Sequence, residues 1–212
     1  MGGRYLVLSD VHRREWVPAA AGELIKEHSL DAVVLLGDIT HFGPPQFAEE
    51  FIRELSVKCY AVPGNCDPLG TEACIKSVGT SLHGVKMQID GRTWGGLGGS
   101  NPSIFRTPFE MPEEEIARRL EPVMEPGMIL VLHNPAYGTF DTTFSGKHVG
   151  STAVAEVIER CKPSVVLSGH IHEDRGVELK DGVWYMNPGA AKDRYAGMME
   201  LGDEVKLTLL DL

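Results

Sequence analysis

Short apolar runs alternate with amphipathic stretches through the first half of the chain: RYLVLSD, a helical pattern over 18–28, DAVVLLGD, a second helical pattern over 45–55, then VKCYAV. Apolar runs without polar alternation suit strands covered on both faces, so this order predicts βαβ units in a mostly parallel, buried sheet. The middle changes character. LHGVKMQIDGRTWGGLGG holds two strand-like runs on either side of Asp90-Gly91, a pair suited to a hairpin turn. A helix is expected over 112–124, with Glu113, Glu114 and Glu115 in its first turn, where the helix dipole favours negative charge. Strand MILVLH, a helix over 151–161, strand SVVLSG and two more hairpins, through Asp181-Gly182 and Gly202-Asp203, complete the pattern. The expected class is α/β, a four-layered α/β/β/α sandwich with two mixed sheets packed face to face and helices outside.

Composition narrows this picture. At 212 residues and 42% hydrophobic content the chain can bury one sizeable core, so a single domain over 1–212 is expected. No apolar run approaches a bilayer-spanning length, and MGGRYLVLSD enters a strand directly, without a signal-peptide pattern. Leu6 spoils a myristoylation signal at Gly2. Cys59, Cys66, Cys74 and Cys161 show no CxxC spacing, and a chain of this size does not depend on disulfides. A reducing, cytoplasmic setting with no membrane partner is the expectation. The net charge of −10 argues against a broad nucleic-acid footprint but leaves room for a small or locally gripped anionic substrate, because bound divalent cations reverse the local field. No feature sets the oligomeric state.

The candidate chemistry lies where apolar strands give way to loops, in SDVH, LLGDIT, PGNCD, VLHNP and SGHIH. Each fragment alone also describes a turn, a cap or a satisfied core polar group. Ligands bind at the carboxyl edge of an open α/β sheet, and five strand ends meeting there bring together Asp10, His12, Asp38, Asn65, His133, His170 and His172. Burying that many polar groups without a metal is costly. The donors are oxygen and imidazole with no thiolate, which suits a pair of divalent cations better than a structural zinc.

The ordered set D-x-H, G-D, G-N-x-D, H and G-H-x-H, running from Asp10 to His172, resembles the calcineurin-like metallophosphoesterases. The resemblance implies that Asp10, His12 and His172 hold one metal, that Asn65, His133 and His170 hold the other, and that Asp38 bridges them. It also implies a hydroxide shared by the two metals that attacks phosphorus in line with the leaving alkoxide. Asp38, Asn65 and His133 are read as catalytic residues. Mn²⁺ is the expected metal, and Ni²⁺, Fe²⁺, Co²⁺ and Zn²⁺ also accept this ligand set. Many members of that family carry histidine in the third motif, where this chain reads Gly64-Asn65-Cys66-Asp67. A thiol carries no positive charge and donates weakly, so the expectation is a phosphodiesterase acting on a small phosphodiester or nucleotide. The alternatives are a phosphomonoesterase or protein phosphatase, and a non-catalytic scaffold on the same fold.

Several neighbours carry two readings each. Cys66 is either an apolar filler or a reactive thiol, and Asp67-Pro68 begins a turn before the next helix. His148 either donates a proton in place of the absent histidine or is a plain loop residue, and His41 shares that ambiguity. His28 and His83 are most simply surface residues. Arg13, Arg14, Arg106 and Lys147 offer phosphate contacts from the rim, with Arg13, Cys66, Arg106 and His148 as the named candidates. The long loops 100–112 and 134–150 carry Phe105, Phe109, Tyr137, Phe140 and Phe144, which either stack on a nucleobase or anchor the loops. Asn187-Pro188-Gly189 is expected to form a tight turn beside the metal edge.

Overall fold

Period-two burial organises the architecture. In the computed structural model, which describes residues 2–212, strand β1 (Arg4–Leu8) sends Tyr5 and Val7 to one core and Leu6 and Leu8 to another. Strand β2 (Ala32–Leu35) splits the same way, with Ala32 and Val34 on the first side and Val33 and Leu35 on the second. The connecting helix α1 (Val17–His28) starts with Pro18 in its first turn and ends on Ser29 in the left-handed region. Helix α2 (Gln46–Glu54), strand β3 (Lys58–Ala61), helix α3 (Thr71–Val78) and the short β4 (Thr80–Ser81) follow.

The second half begins with the hairpin of β5 (Lys86–Ile89) and β6 (Arg92–Leu97). Asp90 and Gly91 both have positive φ at its turn, as an Asp-Gly hairpin requires. Then come α4 (Glu113–Leu120), β7 (Ile129–Leu132), α5 (Thr152–Cys161), β8 (Val165–Leu167), the hairpin β9 (Gly176–Lys180) and β10 (Val183–Asn187), and the hairpin β11 (Tyr195–Leu201) and β12 (Val205–Asp211). The α4 helix stops earlier than the expected 112–124. Pro122 has no N–H with which to extend it, and Glu121–Val123 finishes as a 3₁₀ turn. Ser151 caps α5 by accepting from the Val154 N–H at 3.1 Å.

Two six-stranded mixed sheets result, in the orders β12-β11-β1-β2-β3-β4 and β5-β6-β7-β8-β10-β9. The apolar layer between them includes Tyr5, Val34, Trp94, Val131 and Leu167, while α1 and α2 pack outside the first sheet and α4 and α5 outside the second. That is the expected four-layered sandwich. Among the described residues no helix is long and apolar enough to cross a membrane.

The registers decide where the chemistry goes. Leu8, Leu35 and Ala61 are parallel partners at the carboxyl ends of β1, β2 and β3, as are Leu97 with Leu132 and Val131 with Leu167 in the second sheet. Every candidate ligand follows one of these ends within a few residues, so strand pairing alone delivers them to one edge. Trp94, fully buried against Tyr5 and Tyr60 at ring separations of 5.1 and 5.8 Å, locks the sheets together. Trp94→Ala is expected to cost about 3–5 kcal/mol, read as a lower denaturant midpoint.

Candidate metal centre

The loops after β1 and β2 continue to pair beyond the sheet: Asp10 N–H donates to the Gly37 carbonyl, His12 N–H to that of Asp38 and Arg13 N–H to that of Ile39. Asp10, His12, Asp38 and His170 all take positive φ, between 46° and 68°. Four such residues among the seven candidate ligands mark backbone strain concentrated at a functional edge. Two glycines make the convergence feasible. Gly37 has φ +97°, and a Cβ on Gly64 would sit 2.1 Å from the Asp38 N and Oδ1.

Asp67 ties these loops together. Its buried carboxylate accepts the N–H groups of Thr40 and Gly64 at 2.7 Å and of Ile39 at 3.2 Å, which fixes the Asp38 segment against the Asn65 segment. The sequence marks it only as a turn residue, and the structure gives it a larger positioning role. Asn187 does similar work in the second sheet, donating from Nδ2 to the carbonyls of Ile171 and Asp174 and accepting from Gly189 N–H.

The side chains form two groups that meet at Asp38. On one side, Asp10 Oδ2 accepts from Ser9 Oγ at 2.6 Å and from His170 N–H at 3.0 Å, leaving Oδ1 to face His172 Nε2 at 3.0 Å and His12 Nε2 at 3.7 Å. On the other, His133 Nε2 lies 2.7 Å from Asn65 Oδ1, and the His170 ring packs edge-on to His133 at 5.0 Å. Asp38 turns Oδ2 toward His12 Nε2 at 3.7 Å and Oδ1 toward His133 Nε2 at 3.5 Å, with Oδ1 also accepting from Cys66 N–H. The structure therefore brings all seven predicted residues to one edge, with Asp38 between the two groups.

The electrostatics fit cations here. Burial, reinforced by Asp10 and Asp67 and opposed by His133, pushes Asp38 up to about 7. Burial also opposes the charge on Asp10, but His172, His133 and His12 outweigh it and hold that carboxyl well below its usual range. Burial brings His12 and His170 down to about 3, so both present neutral imidazoles with a free lone pair. His12 Nε2 is buried without a hydrogen-bond partner among the described residues. His133 Nδ1 lies 2.7 Å from the Leu36 carbonyl, and a proton shared there leaves the Nε2 lone pair facing Asn65 Oδ1, another acceptor. Asn65 cannot turn its amide without breaking the Nδ2 bond to Thr107 Oγ1 at 2.9 Å. A cation between those acceptors, and another at the orphaned His12 nitrogen, resolves both conflicts.

A family model for the calcineurin-like phosphoesterase superfamily domain matches residues 4–202. The chain belongs to that superfamily. It is similar to an uncharacterized protein of Methanocaldococcus jannaschii, 34% identical over 197 residues that cover 85% of each chain. The crystal structure of TT1561 of Thermus thermophilus aligns with a TM-score of 0.72 at 17% identity, covering 98% of both chains. A novel archaeal phosphodiesterase aligns with a TM-score of 0.58 at 18% identity, covering 98% of this chain and 99% of its own. At such identities the structural neighbours speak for the fold alone.

The superfamily typically binds a dimetal centre, and the groups Asp10–His12–His172 and Asp10–Asp38–His133 are candidate ligand sets for one. The remaining predicted residues divide. Cys66 lies beside His12 and His41, and burial, then Asp38, push its thiol far above its ordinary pKa, which favours the filler reading over a reactive thiolate. His41 Nδ1 is 3.1 Å from His12 Nδ1, so it serves as the partner of a ligand-set histidine. His148 bonds Asp141 at 2.7 Å and packs on Tyr137, with no contact to the seven. Arg13 caps the Gly43 carbonyl and lies over Phe47, while Arg106 is exposed. Phe109 and Phe140 anchor the loops, against His83 and Gly176 respectively, whereas Phe105, Tyr137 and Phe144 face outward. His83 is a correction to the surface reading. It is buried and accepts the Gly98 N–H at 2.9 Å.

Sequence reasoning also missed Thr107 and Glu110. Glu110 accepts from Ser103 Oγ and from both Thr107 N–H and Oγ1, so Thr107 Oγ1 is left to accept from Asn65. Thr107→Val should free the Asn65 amide and weaken metal affinity about 10–100-fold in a chelator competition, with little change in thermal unfolding of the metal-free protein.

Proposed function

We propose that the chain is a metal-dependent phosphodiesterase acting on a small phosphodiester or nucleotide. Asp10, His12 and His172 would hold one divalent cation, Asn65, His133 and His170 the second, with Asp38 shared. Two such cations supply water activation and neutralisation of phosphoryl charge. The protein's own part is orientation: Asp67 and Thr107 set the angle of Asp38 and Asn65, His41 sets the ring of His12, and the Leu36 carbonyl sets that of His133.

The preference for diesters is carried by the Cys66 side of the centre. A phosphomonoester dianion brings one more negative charge than a diester, and position 66 contributes a buried neutral thiol toward it. His41 bonds His12 and His148 bonds Asp141, each through Nδ1, so position 66 itself supplies no imidazole and His148 is directed to its own loop. A diester has two organic substituents, and the open cleft beside His172 gives room for the second. The archaeal phosphodiesterase has a similar fold, in keeping with this reading. Mn²⁺ is the metal we would expect, since the donors are carboxylate, amide and imidazole.

The test is hydrolysis of bis(p-nitrophenyl) phosphate and p-nitrophenyl phosphate by metal-stripped protein after Mn²⁺, Ni²⁺, Zn²⁺ or Mg²⁺ is restored. Diester turnover should exceed monoester turnover and fall at least about 100-fold in Asp38→Asn. Equal or dominant monoester turnover would overturn the substrate assignment, and absence of turnover with every metal would overturn the enzymatic one.

A further inference from the structure

A cleft of about 540 Å³ opens beside His172 of the ligand set. It is walled by the tip of the 134–150 loop on one side and by the 3₁₀ turn Ala191–Asp193 with Tyr195 on the other. Openings of similar size, lined by Gly3, Tyr5 and Asp90 or by Asp31, Lys58 and Tyr60, lie at the amino ends of the strands, away from the chemistry.

Two side chains in this cleft have no structural task. Phe144 is 93% exposed, yet its position is fixed, because its N–H donates to Glu173 Oε1 at 3.0 Å, one residue beyond His172. An aromatic ring held out in water on a tethered loop loses the burial that would justify it in a core. Lys192 is half-buried, its backbone N–H bonds the Asp10 carbonyl at 3.2 Å, and its ammonium makes no ion pair or hydrogen bond among the described residues. The cleft's other cation is occupied. Arg175 donates to the carbonyls of Pro188 and Leu210, pairs with Asp211 and covers one face of Tyr195 at 4.2 Å. The carboxylates of Glu173 and Asp193 flank the opening and disfavour a polyanion lying along it.

We infer that this cleft is the subsite for the nucleoside part of a nucleotide diester, with Phe144 stacking on the base and Lys192 holding a non-bridging phosphate oxygen. This rests on the phosphodiesterase reading and narrows it to a substrate class. One unpaired ammonium matches the single charge of a diester. The loop that carries Phe144 is bonded to Glu173, directly after His172, so the ring and the ligand edge belong to neighbouring segments. Neither residue belongs to the ligand set. Base stacking on an aromatic side chain tolerates any base, so the subsite selects the class of compound and leaves the identity of the base open.

Calorimetric binding to the metal-loaded protein separates the two levels, with adenosine 5′-monophosphate and ribose 5-phosphate as probes. The nucleotide should bind about tenfold tighter than the sugar phosphate, and Phe144→Ala should abolish that difference while leaving the sugar phosphate unchanged. Lys192→Met should weaken both about tenfold, and Lys192→Arg should recover most of the loss. Phe144 is exposed and the Lys192 ammonium makes no ion pair or hydrogen bond among the described residues, so all three variants are expected to fold normally. If the wild type binds both probes equally, or the substitutions change nothing, the subsite is wrong even where diester turnover persists. If the binding pattern holds but no diester is hydrolysed, the subsite stands as a nucleotide site and the catalytic assignment fails instead.

Discussion

Three carboxylates, those of Asp10, Asp38 and Asp67, are withdrawn from water at the junction of the two sheets, and most of the surrounding structure answers that cost. Isolated buried charges are among the most expensive groups a protein can hold. Asp67 is answered wholly by backbone, through the N–H groups of Ile39, Thr40 and Gly64. Asp10 and Asp38 are answered only in part: each has one oxygen tied to a backbone N–H and the other directed at histidine nitrogens. That difference separates a brace from a ligand. The Asp67 carboxylate is complete within the chain, and the other two keep a face that a bound cation would complete.

The strained backbone follows from the same constraint. Left-handed conformations at Asp10, His12, Asp38 and His170 are unfavourable locally, and they persist because the strands before them are held on both faces by packed side chains. The sheets thus act as rigid rails whose parallel registers set the spacing of the loops. Gly37 and Gly64 then let those loops approach more closely than any side chain would allow. Packing far from the site and geometry within it are therefore one problem, solved by the layer around Trp94.

The fold is legible in the sequence where one physical signal dominates. Unbroken apolar runs mark strands buried on both faces, and Asp-Gly turns mark the β5–β6 and β9–β10 hairpins, where both turn residues adopt positive φ. The end of α4 is less legible because the apolar and charged pattern runs on past Pro122 while the hydrogen bonding cannot. Among site residues, the seven candidate ligands are readable because each sits next to a strand end and side-chain type announces the chemistry. Thr107, Glu110 and Lys192 are not. Thr107 meets Asn65 and Lys192 lines the opening beside His172 across gaps of many residues, Glu110 acts only through Thr107, and no period or motif in the chain encodes such contacts. His41 and His148 are indistinguishable as letters, and only their partners, His12 for one and Asp141 for the other, assign them.

Those two partnerships bear on what the centre can do. The hydrogen bond between His12 Nδ1 and His41 Nδ1 carries one proton, and a ligand role for His12 Nε2 requires that proton to reside on His12. His41 is then an acceptor on that side, holding the His12 ring, and its own proton resides on Nε2. His148 is held by a buried carboxylate whose second oxygen accepts the Gly150 N–H, an arrangement that braces the loop carrying Phe144. Both histidines that could stand in for the missing imidazole thus also place other groups through Nδ1, one a candidate metal ligand and the other a loop at the rim. With no imidazole at position 66, selectivity in such a centre leans on the shape and charge of what surrounds the phosphate, and on the proposed reading that surrounding is the cleft beside His172.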